Sequence, residues 1–282
     1  MLKIRLFVLL IFLSIIYYLL LLHKSNEYNN FNLQLTNENL NNFNGKQFAI
    51  LISCMVDNAT KCGECDFNAM IKILRKNGFA DNNMSTLLVK TRQTHEASDS
   101  LFSLLKKLSQ LNLSKLIFFY SGHGSSKSDI DSIDEMDDQK DEYLDLDAAS
   151  IRDDSLFIMF SKFINTKIVF ITACCNSATN YKFTEDNMEQ SWSKINELQN
   201  ICESDQTLYP QLLHIGLAND LSTTPCIYVW VSDFVKDLVK VFSKKSIIRE
   251  ICIELQKFKG GYLCNTYEDV EKLSFYNEKI FN

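Results

Sequence analysis

Short apolar runs alternate with amphipathic segments from residue 47 onward. Five of these runs are too short and too continuously apolar for surface helices, which indicates buried strands. They span 48–53, 85–89, 116–120, 167–172 and 211–217. The segments with apolar residues at helical spacing span 66–77, 95–111, 153–163, 229–242 and 247–258. With a last extended segment after Gly260-Gly261, the alternation predicts an α/β fold whose mostly parallel sheet has about six strands and helices on both faces.

Two of the predicted strands end in residues that can do nucleophilic chemistry. The run 115–121 leads into His123, which lies between Gly122 and Gly124, and the run 167–172 leads into Cys174 and Cys175. Carboxyl ends of neighbouring parallel strands meet at one edge of a sheet, where active sites of such folds lie. A histidine and a thiol at that edge can form a nucleophile–base pair.

The N-terminus has a different composition from the rest of the chain. Leu6–Leu22 is an apolar run of 17 residues, preceded by Lys3 and Arg5. This length and the absence of a small-residue cleavage site favour an uncleaved signal anchor at residues 1–24, with a cleaved signal peptide or a hydrophobic tail as the alternatives. The leading positive charges predict that the rest of the chain faces the lumen or the exterior. Residues 25–45 are rich in asparagine and show no period, which predicts a flexible tether.

Charge and cysteine content narrow the function classes. The net charge of −6 and the absence of a basic stripe argue against nucleic acid as the partner. Cys54, Cys252 and Cys264 lie in apolar runs, which favours buried thiols. Cys62 and Cys65 form a C-x-x-C pair without a second pair at zinc spacing, so no metal site is assigned there.

Four motifs together resemble those of the caspase and metacaspase group of cysteine peptidases. Phe-Tyr-Ser-Gly-His-Gly (119–124) resembles the histidine motif, and Phe-Ile-Thr-Ala-Cys (170–174) resembles the nucleophile strand. The segment 222–225 with Trp230 resembles the start of the small subunit, and 269–276 resembles its terminal strand. The resemblance implies a caspase-like three-layer sandwich over 46–282. It divides this domain into a large-subunit-like part (46–180), a linker (181–207) and a small-subunit-like part (208–282).

The resemblance also implies a Cys–His endopeptidase that acts on polypeptides in cell death or regulated proteolysis. Caspase register makes Cys174 the nucleophile, metacaspase register makes it Cys175, and the small-subunit motifs favour Cys174. The backbone N–H of Gly124 would help to hold the oxyanion. The family pairs through its last strand, which implies a homodimer, and its usual compartment is the cytosol, in conflict with the charge rule.

The positions of the family's substrate pocket can be located in this sequence, but some of them hold residue types that differ from the family's pattern. Six positions match pocket members: Lys61, Asp66, Ser121, Thr172, Ser222 and Trp230. The arginine that normally follows the tryptophan is Val231, and the glutamine before the nucleophile is Thr172. These departures leave the substrate open, and they keep a catalytically degenerate homologue with a binding or regulatory role as the alternative.

An acidic stretch, Asp129–Asp147, follows the histidine motif. It has eight Asp or Glu residues before Tyr143 and resembles the region of metacaspases that binds calcium. Calcium requires several carboxylate oxygens in a flexible loop. The sequence favours a solvated acidic loop, with Ca²⁺ as the only cofactor that the resemblance suggests.

Overall fold

The computed structural model describes residues 30–32, 43, 46–54, 62–89, 95–128, 140–146, 150–175, 211–217, 231–258, 262–265 and 274–281. The strands within these ranges are β1 (Asn30–Asn32), β2 (Gln47–Cys54), β3 (Met84–Val89), β4 (Lys115–Ser121), β5 (His123–Ser128), β6 (Lys140–Asp145), β7 (Ile151–Arg152), β8 (Lys167–Ala173), β9 (Leu212–Leu217) and β10 (Tyr262–Asn265). The helices are α1 (Cys62–Lys76), α2 (Glu96–Ser109), α3 (Asp153–Ser161), α4 (Asp233–Phe242) and α5 (Ile248–Leu255).

Seven of the described strands form one central sheet, in the order β1-β3-β2-β4-β8-β9-β10. The five inner strands run parallel, and the edge strands β1 and β10 are antiparallel to their neighbours. A second sheet of β5, β6 and β7 follows the end of β4. The predicted α/β class with a mostly parallel sheet is therefore confirmed, and the parallel strands bring their carboxyl ends to one edge.

Helices cover the central sheet on both sides because its inner strands are apolar on both faces. The side chains of α2 and α3 pack with Phe118 and Phe170 on one face. Those of α1, α4 and α5 pack with Phe119 and Ile171 on the other. Buried parallel strands read as continuous apolar runs for this reason.

Helix α1 ends where the sequence predicts, at a glycine in the left-handed region. Gly78 has a φ of 88°, a conformation that strains side chains with a Cβ. The N–H of Phe79 donates to the carbonyl of Leu74 at 3.1 Å, which closes the helix end. The start was predicted wrongly: α1 begins at Cys62, four residues before the predicted start at Asp66.

Four of the described strands, β1, β5, β6 and β7, were not predicted. Asn30–Asn32, inside the predicted tether, pairs with Thr86–Leu88 of β3. The acidic stretch contributes the strand β6 rather than a loop throughout. Asn30–Asn32 is too short to show a pattern, and the apolar residues of β6, Tyr143 and Leu144, are adjacent, so neither segment shows the sustained alternation of a half-buried strand.

The C-terminal region differs from prediction in two ways. Of the segment expected to be the terminal strand, 269–276, residues 269–273 lie outside the described residues and 274–276 form a turn, so the last strand described is β10. Cys252 of α5 and Cys264 of β10 form a disulfide with a Cα–Cα distance of 5.6 Å, so the expected buried thiols are wrong for this pair. Apolar runs show that both residues are buried but not that α5 packs against β10.

The predicted anchor lies outside the described residues, as does the linker 181–207. Among the helices that the structure describes, each is too short or too polar to cross a membrane.

Candidate active site

The pairing of β4 with β8 brings the histidine turn beside the two cysteines. Ser121 lies opposite Ala173 at the carboxyl ends of these parallel strands. Past this pair, the N–H of Gly122 donates to the carbonyl of Ala173 at 3.3 Å. His123 and Cys175 each follow two residues after the Ser121–Ala173 pair, so both leave the sheet at the same point of its edge.

Gly124 is in close contact with both cysteines. A Cβ added at Gly124 would collide with the carbonyl oxygen of Cys175 and would lie 3.1 Å from the Cys174 sulfur. Only glycine allows such an approach of two main chains. The contact places the histidine turn directly against the segment that carries the thiols.

The two cysteines differ in exposure. Cys174 is fully buried and belongs to the apolar cluster that also contains Cys54 and Tyr120. Cys175 is partly exposed. Both carry thiols. A thiol in apolar surroundings is disfavoured as a thiolate, whereas a partly exposed one beside a base can be activated.

Tyr120 holds the main chain of the histidine turn. Its hydroxyl, on a fully buried side chain, lies 2.7 Å from the carbonyl oxygen of His123 and 2.9 Å from that of Asp145. A Cβ at Gly122 would come within 2.6 Å of this hydroxyl, so the glycine makes room for it. The tyrosine thereby fixes His123 relative to β6.

Asp66 and Ser121 form a buried polar group beneath the same edge. The Ser121 hydroxyl donates to one carboxylate oxygen of Asp66 at 3.0 Å, and the N–H of Ser232 donates to the other at 2.7 Å. Burial raises the pKa of Asp66 to about 6, against the lowering effect of these hydrogen bonds. Ser53 lies opposite Ser121 in the β2–β4 pair, and its buried hydroxyl has no hydrogen-bond partner within the described chain.

Thr172 makes a hydrogen-bonded contact inside the core. Its side chain is fully buried, and its hydroxyl lies 2.7 Å from Nε2 of His214 on β9. Gly216 leaves space for this pair, since an added Cβ would lie 2.9 Å from the threonine hydroxyl. Burial lowers the pKa of His214 to about 3, so its imidazole is neutral at pH 7. The structure therefore gives Thr172 a packing partner rather than a place on an open surface.

Comparison with known proteins decides the family. The sequence profile described as "Caspase domain" matches residues 46–249, which is most of the chain. The chain belongs to the caspase-domain family. Proteins of this family are cysteine peptidases that act on polypeptides, so the resemblance stated from the motifs is confirmed. A sequence search among curated proteins found no significant match.

One solved structure with a similar fold aligns with this chain over nearly all of its own length. Protein GSU0716 from Geobacter sulfurreducens is 18% identical, with a TM-score of 0.57 over 84% of this chain and 98% of its own. Caspase-1 from Spodoptera frugiperda is 10% identical, with a TM-score of 0.46 over 76% of this chain and 79% of its own. The Drosophila initiator caspase Dronc is 10% identical, with a TM-score of 0.46 over 84% and 82%.

Three of the pocket positions expected for a caspase-domain protein are described, and three are not. Asp66 and Ser121 lie together at the edge that carries His123, and Thr172 faces the core. Lys61, Ser222 and Trp230 lie outside the described residues. The pocket assignment therefore stays a prediction.

Strand β6 and the start of α3 bring three buried carboxylates together, and this cluster is the place to examine the expected Ca²⁺ site. Asp141, Asp153 and Asp154 each offer an oxygen, and these oxygens lie within 4.8 Å of one another. The guanidinium of Arg152 approaches Asp154 at 2.7 Å and Asp141 at 3.5 Å, and the Tyr143 hydroxyl donates to Asp141 at 3.2 Å. One guanidinium thus pairs with two of the three carboxylates and offsets part of their negative charge.

The contacts that support the site were not predictable from the sequence. Tyr120, Asp145 and Ser232 acquire their roles through pairs that are 25 to 166 residues apart in the chain. The sequence feature that indicated the site is the small-residue turn around His123. It identified the position of the edge but not the residues that support it.

Proposed function

We propose that the protein is a cysteine endopeptidase in which Cys175 is the nucleophile and His123 the general base. The observation that carries the proposal is the placement of a partly exposed thiol and an imidazole at equivalent positions past the β4–β8 pair. The same observation favours Cys175 over Cys174, which the small-subunit motifs favoured. Cys174 is fully buried, and a substrate could reach it only after the core had opened.

The chemistry follows from these two groups. His123 accepts the proton of the Cys175 thiol, and the sulfur attacks the carbonyl carbon of the scissile peptide bond. The oxyanion forms near the backbone N–H groups of Gly124 and Cys175. The imidazolium then gives its proton to the leaving amine as the C–N bond breaks. Water hydrolyses the thioester, with His123 as its base, and the free thiol is regenerated.

The proposed substrate class depends on the buried charge of Asp66, which lies beneath the edge of the sheet that carries His123. Asp66 is buried and ionised above about pH 6, and its oxygens are held by Ser121 and Ser232. The cation that acts on it most, Lys236, forms its own ion pair with Asp233 at 2.9 Å. Because Asp66 is only 1% exposed, its charge acts on a substrate through the electrostatic field at the edge rather than by contact, so the proposed preference is for lysine or arginine before the scissile bond.

Site-resolved alkylation tests the proposed dyad. The full-length protein in detergent is treated with iodoacetamide at pH 7, and the modified cysteines are quantified by peptide mass spectrometry. Cys175 should react faster than a model thiol and at least about tenfold slower after His123→Ala. Cys174→Ser is the matched control and should leave the rate at Cys175 unchanged. If no thiol reacts rapidly, the protein is a caspase-domain pseudoenzyme with a binding or regulatory role.

A peptide library tests the proposed substrate class. Cleavage after lysine or arginine, lost in Asp66→Asn, would support the role of the buried carboxylate. Cleavage after aspartate, unaffected by that change, would contradict it. Iodoacetamide reactivity of Cys175 in Asp66→Asn separates a pocket effect from a loss of the dyad.

The localisation proposal combines the N-terminal run with the disulfide. An anchor at 1–24 with the charge order of Lys3 and Arg5 would leave the domain in the lumen or outside the cell. The Cys252–Cys264 disulfide supports this side, because disulfides persist in oxidising compartments and are rare in the cytosol. Protease treatment of sealed microsomes is the test: a protected domain supports the proposal, and digestion without detergent places it in the cytosol.

A homodimer through the last strand also remains a proposal. Among the described strands, β10 stands at one end of the central sheet and pairs with β9. Antiparallel addition of a second copy there would extend the sheet. Analytical ultracentrifugation of the purified protein tests it, and a monomer at micromolar concentration would contradict it.

A further inference from the structure

Asp145 lies directly opposite His123 in the small sheet. The two residues are register partners in the antiparallel pair of β5 with β6. Side chains at such positions project from the same face, with Cβ atoms about 4.5–5.5 Å apart. The Tyr120 hydroxyl lies between their two carbonyl oxygens and holds this pair of backbones together. The register therefore sets Asp145 beside His123 on one face of the small sheet.

The Asp145 carboxylate is oriented by two hydroxyl groups. Ser125 donates to its Oδ1 at 2.9 Å, and Ser150 donates to the same oxygen at 2.8 Å. Hydrogen bonds to Oδ1 hold the side chain and leave Oδ2 as an acceptor that these contacts do not use. A carboxylate arranged in this way can accept the N–H of an imidazole whose other nitrogen faces a thiol.

We propose that Asp145 is a positioning residue for His123, a role that rests on the proposed endopeptidase function. When His123 takes the proton of Cys175, its second ring nitrogen donates its N–H to Asp145 Oδ2. Asp145 stays ionised and stabilises the imidazolium, and no proton passes to it. The carboxylate would thereby favour the thiolate–imidazolium state and select the ring orientation that faces the sulfur.

The test uses a variant that removes the charge and retains the hydrogen bonds. Asp145→Asn keeps an amide oxygen for the Ser125 and Ser150 hydroxyls. The full-length variant should keep its melting temperature and its KM for a peptide substrate, whereas kcat and the iodoacetamide rate at Cys175 should each fall at least about tenfold. Asp145→Glu restores a carboxylate and should recover part of the rate. Asp81→Asn, an exposed carboxylate remote from the site, is the matched charge control and should change neither quantity.

The outcomes separate this inference from the function on which it rests. Normal alkylation in Asp145→Asn together with slow alkylation in His123→Ala overturns the role of Asp145 and leaves the dyad intact. Normal alkylation in both variants overturns the dyad and the inference together. If Asp145→Asn does not fold, Asp145→Ser is the second neutral variant. Failure of both neutral variants to fold would make Asp145 a structural residue and would also overturn the inference.

Discussion

The backbone N–H of Ser232 donates a 2.7 Å hydrogen bond to the carboxylate of Asp66. This contact joins α1 of the large-subunit-like part to the residue that caps α4 in the small-subunit-like part, across 166 positions of the chain. A buried anion is thereby held at the edge of the sheet that carries His123. The contact affects stability, and the proposed substrate preference depends on the same carboxylate.

Asp66 makes a pH-dependent contribution to stability. Its pKa is raised from 3.8 to about 6, so between these values the folded state binds more protons than the unfolded state, and the free energy of unfolding falls as the pH rises. At pH 7 the burial of the ionised carboxylate lowers the free energy of unfolding by up to about 3 kcal/mol. We expect Asp66→Asn to be more stable than the parent at pH 7. Urea unfolding at pH 4, 5, 6 and 7 measures this, and a variant less stable at every pH would contradict it.

His214 contributes the opposite slope in the same range. Its pKa is lowered to about 3 by burial, so below pH 6.5 the unfolded state binds the extra proton and stability is lost as the pH falls. The slope approaches about 1.4 kcal/mol per pH unit between pH 6 and pH 4. His214→Gln keeps a polar partner for Thr172 and should remove this slope. The comparison is the unfolding free energy of the variant minus that of the parent, which should rise by about 2 kcal/mol from pH 6 to pH 4 because the slope of Asp66 is common to both proteins.

Arg152 should control whether the carboxylate cluster takes a cation. Arg152→Gln leaves Asp141 and Asp154 without their counter-charge, which should lower stability by about 2 kcal/mol in EDTA. Millimolar Ca²⁺ should restore the melting temperature of the variant and change that of the parent little. Terbium luminescence sensitised by Tyr143 gives a second measure, with Tyr143→Phe as its control. A parent protein that is strongly stabilised by Ca²⁺ would show that the guanidinium gives way to the metal.

The disulfide should stabilise the end of the small-subunit-like part. Cys252 and Cys264 are 12 positions apart, and closing a loop of this size restricts the unfolded chain by about 3 kcal/mol. Cys252→Ser with Cys264→Ser should lower the free energy of unfolding by about that amount under oxidising conditions. Dithiothreitol should destabilise the parent and leave the double variant unchanged. Equal stability of the two proteins in oxidising buffer would show that the bridge contributes nothing.

The sequence predicted correctly those strands that consist of continuous apolar residues. The inner strands were found because a parallel sheet buried on both faces requires apolar residues at every position, as at Phe118, Phe119 and Phe170. Strand β6 and the segment Asn30–Asn32 were missed, since neither is a continuous apolar run and neither is long enough to show a sustained alternation. The motif around His123 identified the edge of the sheet.

The sequence by itself determined the family, the α/β class and the two strand ends that carry an imidazole and thiols. Those properties depend on local patterns, which are present in the chain before it folds. Only the tertiary structure buried Cys174 and left Cys175 partly exposed, set Asp145 opposite His123, and placed Arg152 among three carboxylates. These relationships depend on strand register and on burial, which arise from contacts between residues far apart in the chain and are not encoded in any one segment.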